Sequence, residues 1–221
     1  MCRVYSGKAS PYASFKYQSD QITRSGHLPR TLRSEERSLV LPHYRTALDI
    51  ALRSDCSEAQ FGAVVFYKQR ELARGFNHVP DHLKEIGWAC KSHCPRLGVE
   101  QLKGGVGSEL CFVIHAEEDA ADNLAKLPVD IRRGVEQKAS MVVARLKNRK
   151  EVLPIGAQNV RCTACAKKIA NETQIREIVF PIVIAGEMQF AAYGRVEFHT
   201  ASIINLYERW TPVLSALPGS Q

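Results

Sequence analysis

A histidine and two cysteines are spaced along the chain in a way that suits one zinc ion. His115 is followed two residues later by Glu117, and two residues separate Cys162 from Cys165. Thiolates and a neutral imidazole are good zinc ligands, and three protein ligands leave the fourth tetrahedral position open to water. Zinc lowers the pKa of a bound water to roughly 7, and a carboxylate beside the metal can carry protons. The pattern predicts zinc-assisted hydrolysis with Glu117 as general acid and base, against the alternatives of a structural zinc site or a redox pair of cysteines.

Two helices are predicted to start at these ligands and to bring them to one metal. Apolar spacing indicates a helix from His115 to about Leu127, and a second helix begins at Cys162. Residues three apart in a first helical turn face the same side, and a helix N-terminus favours thiolates. Strands are predicted at residues 61–67, 71–76, 141–146 and within 175–184, with further helices at 38–53 and 200–210.

A second set of potential metal ligands lies in a long irregular stretch, residues 77–114. A stretch of this length is usually functional or organised by a metal. Four nitrogen and sulfur ligands would close a tetrahedral site and hold the segment together, so we predict a second, structural zinc. His82 is an alternative to His93, and the competing interpretation is buried cysteines with a surface histidine. The predicted ligands are Cys90, His93, Cys94 and Cys111.

Composition and charge limit the class of protein. The chain has 221 residues, of which 45% are apolar, and a net charge of +7. Residues 1–37 hold seven basic and three acidic residues, so more than half of the excess charge lies there. We therefore predict a basic, mobile N-terminal arm (1–37), one globular domain (38–210) and a short tail (211–221). No apolar run is long enough to span a membrane and no secretory signal pattern is present, so the expected location is cytoplasmic.

The order of the predicted elements and several short segments resemble a known family. Strand, strand, His-Ala-Glu helix, strand, Cys-x-x-Cys helix, strand is the order of the cytidine deaminase-like fold. Over about residues 39–210 the chain resembles the zinc-dependent cytidine/deoxycytidylate deaminase superfamily, and within it the deoxycytidylate (dCMP) deaminase branch. The segments that carry the resemblance are residues 61–65 (FGAVV), 75–77 (GFN), 94–98 (CPRLG) and 109–111 (ELC), together with the metal motifs.

The resemblance implies a three-layer α/β/α fold with a central mixed sheet flanked by helices. It also implies hydrolytic conversion of a small nucleotide, with dCMP giving dUMP and ammonia, by a homo-oligomeric enzyme. Zinc would be the cofactor, and Glu117 would shuttle the protons. The implied zinc ligands are His115, Cys162 and Cys165.

The resemblance further implies a substrate pocket lined by Phe61, Asn77 and Ala116. In this family an asparagine in the position of Asn77 binds the sugar, and the backbone at Ala116 contacts the base. Arg161 stands where the family has a proline, and residues 115–120 read HAEEDA where asparagine is common near the fifth position. Arg161 borders the implied pocket, where it either contacts a phosphate or stays solvated at the helix start.

Two other functions are compatible with the same motifs. A deaminase of bases in single-stranded DNA or RNA would bind the nucleic-acid backbone with the basic arm. Nucleic acid is therefore an alternative partner, less favoured than a free nucleotide. A catalytically inactive, zinc-stabilised nucleotide-binding or interaction protein is the third interpretation, against which the retention of Glu117 argues.

Overall fold

A seven-stranded mixed sheet forms the centre of the molecule in a computed structural model that describes residues 29–57, 59–94, 111–155 and 162–203. The spatial order is β1-β7-β6-β4-β2-β3, and β5 also pairs with β4. Only the β4–β6 pair is parallel among these described strands. The strands are β1 (Arg30–Thr31), β2 (Gln60–Tyr67), β3 (Arg70–Phe76), β4 (Ser140–Lys147), β5 (Glu151–Val152), β6 (Glu177–Ile184) and β7 (Glu187–Gly194).

Helices of very different length connect these strands. Within the described part of the chain, no helix combines the length and apolarity needed to cross a bilayer. The helices are α1 (Ser34–Ala51), α2 (Asp81–Glu85), α3 (Cys90–His93), α4 (Ala116–Ala125), α5 (Val129–Val135), α6 (Thr163–Glu172) and α7 (residues 195–203), with a 3-10 turn at Glu136–Lys138.

Both faces of the sheet are buried, because successive side chains of a strand point to opposite faces. On one face, Val64 of β2 and Val142 of β4 pack under α1, which contributes Tyr44. On the other face, Ala63 and Met141, one position earlier in the same strands, join the core on which α4 and α6 pack. The predicted three-layer α/β/α arrangement with a central mixed sheet is therefore confirmed.

The boundary predicted between arm and domain at residue 37 is wrong. Residues 30–31 pair with β7, and α1 begins at Ser34 rather than Ser38. The Arg30 guanidinium lies 2.6 Å from a Glu177 carboxylate oxygen, and Leu32 is buried. Residues 30–37 are therefore part of the folded domain, while residues 1–28 lie outside the described chain.

Three other differences concern regular structure that the sequence pattern did not reveal. Strand β7 was not predicted, although it forms the longest hairpin of the sheet with β6. Residues 129–135 form α5, which was not predicted, and the last helix begins at residue 195 rather than 200. The part of that helix predicted beyond residue 203 and the tail, residues 211–221, lie outside the described residues.

Candidate functional site

The predicted zinc ligands come together in space. The Nδ1 atom of His115 lies 2.9 Å from the sulfur of Cys162 and 3.1 Å from the sulfur of Cys165. Within the described residues, this is the one group of three potential ligands whose donor atoms all lie within 4.8 Å of one another. Two sulfurs and an imidazole nitrogen are a donor set that fits zinc and leaves a fourth position. The residues present therefore fit a catalytic zinc ion.

The two cysteines are joined to each other as a disulfide in this structure. Zinc is bound by the thiolate form of cysteine, so the metal-binding form of the site is the reduced one. The backbone N–H of Cys165 donates a hydrogen bond to the Cys162 sulfur over 3.0 Å, which caps the start of α6. A sulfur that accepts such a bond at a helix N-terminus is favoured as a thiolate.

His115 is fixed by a short bridge between two parts of the chain. The backbones of Ile114 and His78 exchange hydrogen bonds of 2.9 and 3.0 Å, directly beyond the end of β3. The backbone N–H of His115 then donates to the carboxylate of Glu118 over 3.1 Å at the start of α4. Since both sides of His115 are held by hydrogen bonds, its imidazole is directed towards the two sulfurs.

Helix α4 lies directly on strand β3. A Cβ atom added at Gly75 would overlap the backbone of Ala116 and Ala120, so only glycine allows this approach. The backbone N–H of Phe76 donates to the Asp119 carboxylate over 3.1 Å, which links the strand to the helix. Asp119 therefore has a structural role on the side of α4 that faces β3.

Glu117 occupies the first turn of α4 and is half-buried. Burial raises the pKa of its carboxyl group above the ordinary value, an effect that His115 opposes and Glu118 adds to. A raised pKa favours retention of a proton, which a residue that both accepts and donates protons requires. Glu118 differs from Glu117 in its role, because its carboxylate accepts the hydrogen bond from the His115 backbone and so helps to fix the start of α4.

The predicted substrate-binding residues have different environments. Asn77 is buried, and its side chain accepts from the Phe61 backbone over 2.7 Å and donates to the Ala59 carbonyl over 2.8 Å. These two hydrogen bonds stabilise the start of β2, so a sugar bound at Asn77 would have to share the side-chain amide with them. Phe61 is half-buried against the α4 and α6 core, and Ala116 is fully buried. Arg161 lies outside the described residues.

Arg145 is a candidate that the sequence did not single out. It pairs with Phe61 across β2 and β4, and its guanidinium carbon lies 5.7 Å from the centre of the Phe61 ring. Its buried Nε atom has no hydrogen-bond partner among the described residues, and burial lowers the pKa of the side chain. The sequence around Arg145 does not indicate a role for this side chain, since its partner on the neighbouring strand, Phe61, lies more than 80 positions away.

One of the residues predicted for a second metal is His93. It is exposed, and its Nδ1 atom accepts a hydrogen bond of 3.1 Å from the backbone N–H of Ala89. The alternative, His82, is exposed as well. The sulfur beside Cys90 belongs instead to Cys56, at 3.8 Å.

Comparison with protein-family models finds no match, and comparison with curated proteins finds none either. Among solved structures, the chain is similar to the dCMP deaminase of the cyanophage S-TIM5 in apo form, at 19% identity with a TM-score of 0.39, covering 66% of this chain and 82% of that one. It is similar to the same cyanophage enzyme in complex with dCMP and dUMP, at 21% identity with a TM-score of 0.39, covering 66% and 81%. Likenesses this distant carry no functional argument, so function is argued from the residues of the site.

Proposed function

We propose that the chain is a zinc-dependent hydrolytic deaminase that acts on a cytosine-type nucleotide and converts dCMP to dUMP and ammonia. One observation carries the proposal. His115, Cys162 and Cys165 meet at the starts of two helices, with Glu117 in the first turn of the helix that His115 begins. A structural site or a redox pair would need no such carboxyl group beside it, whereas hydrolysis needs a proton carrier.

The reaction adds the oxygen of water to C4 of the base and breaks the bond between C4 and its amino nitrogen, which leaves as ammonia. His115, Cys162 and Cys165 would hold the zinc ion, which would lower the pKa of a water and so make it available for attack at neutral pH. Glu117 would accept one proton of the water and deliver it to the ring nitrogen N3. After the bond between oxygen and C4 forms, it would accept the second proton from the attached hydroxyl group and deliver it to the departing amino group. Its raised pKa suits both halves of this cycle, because the group must hold a proton between them.

The pocket residues support a free, phosphorylated substrate. Phe61 and Asn77 contact the base and sugar in this proposal, with the Ala116 backbone next to the base. Arg145 stands over Phe61 with a buried guanidinium nitrogen that no described group satisfies. Since a buried polar nitrogen without a hydrogen-bond partner is costly and arginine binds phosphate well, we assign Arg145 to the substrate phosphate, beside or in place of Arg161.

The charge of residues 30–37 does not favour a polynucleotide substrate. Arg30 and Arg33 pair with Glu36, and Arg30 also pairs with Glu177. These cations are paired with acidic residues of the domain, so fewer positive charges remain to bind a nucleic-acid backbone. A cytoplasmic homo-oligomer that takes a free mononucleotide remains our proposal.

A substrate panel tests this function. Ammonia release from the reduced, zinc-supplied full chain is measured with deoxycytidine, CMP, dCMP, dCTP and a single-stranded deoxyoligonucleotide. We expect dCMP to have the highest kcat/KM, and Arg145→Gln to narrow its advantage over deoxycytidine by about 10-fold or more, the value of one charged contact. Release from the oligonucleotide alone would instead identify a polynucleotide deaminase.

A further inference from the structure

The hairpin formed by β6 and β7 extends beyond the strands on either side of it. Every residue of β6 pairs with β7, but β4 pairs with β6 only as far as Val179. On the other side, β1 pairs with β7 only at Ala191 and Ala192. We call residues 182–189, around the two-residue turn, the hairpin tip. Among the described strands, none other than β6 and β7 pairs with this tip.

The hairpin tip is apolar although it is exposed. Val183 and Met188 lie opposite each other on the two strands, with 54% and 49% of their surface exposed. Ile184, beside the turn, is exposed as well. Two pairs further from the turn, on the same face as Val183 and Met188, Pro181 and Phe190 are buried, and Phe190 belongs to the core under α1. The core therefore continues onto the tip as an uncovered apolar surface, which is typical of an interaction site.

The outer edge of β7 has outward-facing backbone groups at Met188. The N–H of Leu32 donates to the Phe190 carbonyl over 2.9 Å, so the backbone groups of Phe190 point away from β6. Backbone groups alternate in direction along a strand, so those of Met188, two residues earlier, point outward as well. The chain does not follow β7 as far as Met188, because it turns into α1 at Ser34. An exposed strand edge of this kind pairs readily with another strand.

Both ends of the described chain lead away from this surface. Arg30 lies opposite Ala192 and β1 is antiparallel to β7, so the chain before Arg30 runs towards Gly194, the end of β7 remote from the turn. At the other end, α7 packs on the opposite face of the sheet, with Phe198 in the core under α4 and α6. A second copy of the chain is therefore favoured over either terminal segment as the occupant of the tip.

Two copies can pair at this edge in a register that suits their side chains. A two-fold axis at Met188 places the two Met188 residues opposite each other, where each N–H can donate to the carbonyl of the other. The same register places Glu187 opposite Gln189 of the second copy, so that an amide faces a carboxylate at two symmetric positions. Gln189 can donate this hydrogen bond, because its side-chain oxygen already accepts from Arg37.

The neighbouring registers are less suitable. A two-fold axis at Glu187 would place two like charges opposite each other, which destabilises a strand pair. An axis at Gln189 would place Met188 opposite Phe190 of the second copy, and the Phe190 carbonyl already accepts from Leu32. The side chains and the occupied edge therefore both favour the axis at Met188.

We propose that the chain forms a two-fold symmetric dimer in which the hairpin tips of two copies pair through Met188. The two hairpins then form one continuous sheet, with Val183 and Met188 of both copies as an apolar stripe on the α1 face. Pairing of the same patch on both subunits is the commonest form of homodimer. The tip is short, so the dimer is weak and depends on concentration. The inference names the contact surface of the homo-oligomer in the proposed function, and it rests on the fold rather than on deaminase activity.

The molecular mass of the full chain at several protein concentrations tests the inference. Sedimentation is measured for the wild type, Met188→Pro, Val183→Lys and Val196→Lys. Proline removes the outward N–H of Met188, which β6 does not use, and lysine places a charge in the apolar stripe. We expect the wild type to approach the mass of a dimer as its concentration rises, and the dissociation constant of both tip variants to increase by about 10-fold or more. Val196→Lys changes an exposed valine of α7 and is the matched control, which should behave as the wild type.

Two results would overturn the proposal. One is a wild type that stays monomeric at every concentration. The other is a dimer whose affinity is unchanged in both tip variants, which would keep the homo-oligomer but place its contact surface elsewhere.

Cross-linking at the two-fold axis tests the register. In the proposed pairing the Cα atoms of the two Met188 residues are about 5.5 Å apart, a separation that suits a disulfide. Met188→Cys should therefore form a covalent dimer with oxidised glutathione, and peptide mapping should find the bond between the two introduced thiols. Val196→Cys is the control for random collision. Equal cross-linking of the two variants, or a bond from the introduced thiol to a cysteine of the same chain, would contradict the proposed contact.

Discussion

The two faces of the sheet are built in the same way, although we propose a catalytic role for only one of them. On each face a helix approaches the sheet so closely that a glycine is required: Gly62 of β2 lies against the backbone of Ala47 in α1, and Gly75 of β3 lies against that of Ala116 in α4. The polar groups of the α1 face serve structure, as when His43 contacts the Lys68 carbonyl at 3.0 Å. The comparison shows that close packing fixes the position of a helix on each face, and the proposed chemistry lies at the start of the helix that Gly75 allows to approach the sheet.

The largest effect is expected when one histidine on each face of the sheet is replaced by alanine, in separate variants. His115→Ala removes a ligand of the proposed zinc, so dCMP deamination should fall by more than the roughly 10²–10⁴-fold attributed to general acid–base catalysis alone. Its melting temperature should change little. His43→Ala is the control, because His43 is buried and stacked on Phe66 on the α1 face.

For His43→Ala we expect a loss of about 1–3 kcal/mol in the free energy of unfolding, with normal activity per folded molecule. Thermal unfolding and ammonia release, measured on both variants, decide the matter. Equal loss of activity in the two variants would mean that the faces are not functionally distinct.

The two glycines provide a sharper version of the same comparison. Gly62→Ala and Gly75→Ala should each destabilise the fold by about 1–3 kcal/mol or more, because the added methyl group overlaps helix backbone. Only Gly75→Ala should also lower kcat, since it displaces α4 and with it His115 and Glu117. The measurement is kcat at a temperature where both variants are folded. A Gly62→Ala variant with the larger loss of kcat would reverse the assignment of faces.

The sequence predicted the elements whose pattern is local. The run FGAVVFY specified β2, and the apolar spacing after His115 specified α4, because burial of one strand or one helix stripe is written in consecutive residues. The sequence also predicted that His115, Cys162 and Cys165 come together, because their types and spacing suit one zinc ion, and the three donor atoms do lie close together.

Most of what the sequence missed depends on partners distant along the chain, and strand β7 is an exception. Strand β7 follows β6 through Ala185 and Gly186, both with positive φ, a two-residue turn that could have been recognised from the glycine. No such signal exists for β1, whose Arg30 meets Glu177 only in the folded protein. The same holds for Cys56, which lies beside Cys90 although 34 positions separate them.

The smallest expected effect concerns the α1 face at acid pH. Glu177 is buried, which alone would raise the pKa of its carboxyl group, but hydrogen bonds from Arg30, Arg176 and Ser140 lower it below the ordinary value of 4.5. A lowered pKa in the folded state means that this stabilisation is complete above about pH 4.5 and is lost as the pH falls through the folded-state value.

Glu177→Gln should therefore reduce stability at pH 7 by about 1–2 kcal/mol, with activity per folded molecule unchanged. The difference from wild type should shrink as the pH falls below about 4.5, the ordinary carboxyl pKa. Unfolding by denaturant at several pH values measures it. A constant difference across this range would show that the Glu177 charge contributes nothing.

The most direct test of the deaminase assignment compares wild type with Glu117→Gln at equal zinc content. Glutamine has nearly the same shape and cannot carry a proton between water and the base. Ammonia release from dCMP is measured on both reduced, zinc-loaded proteins. We predict rapid release by the wild type and a loss of several orders of magnitude in the variant, with the zinc retained. Near-normal release by Glu117→Gln, or no release by the zinc-loaded wild type from any cytosine nucleotide, would contradict the assignment.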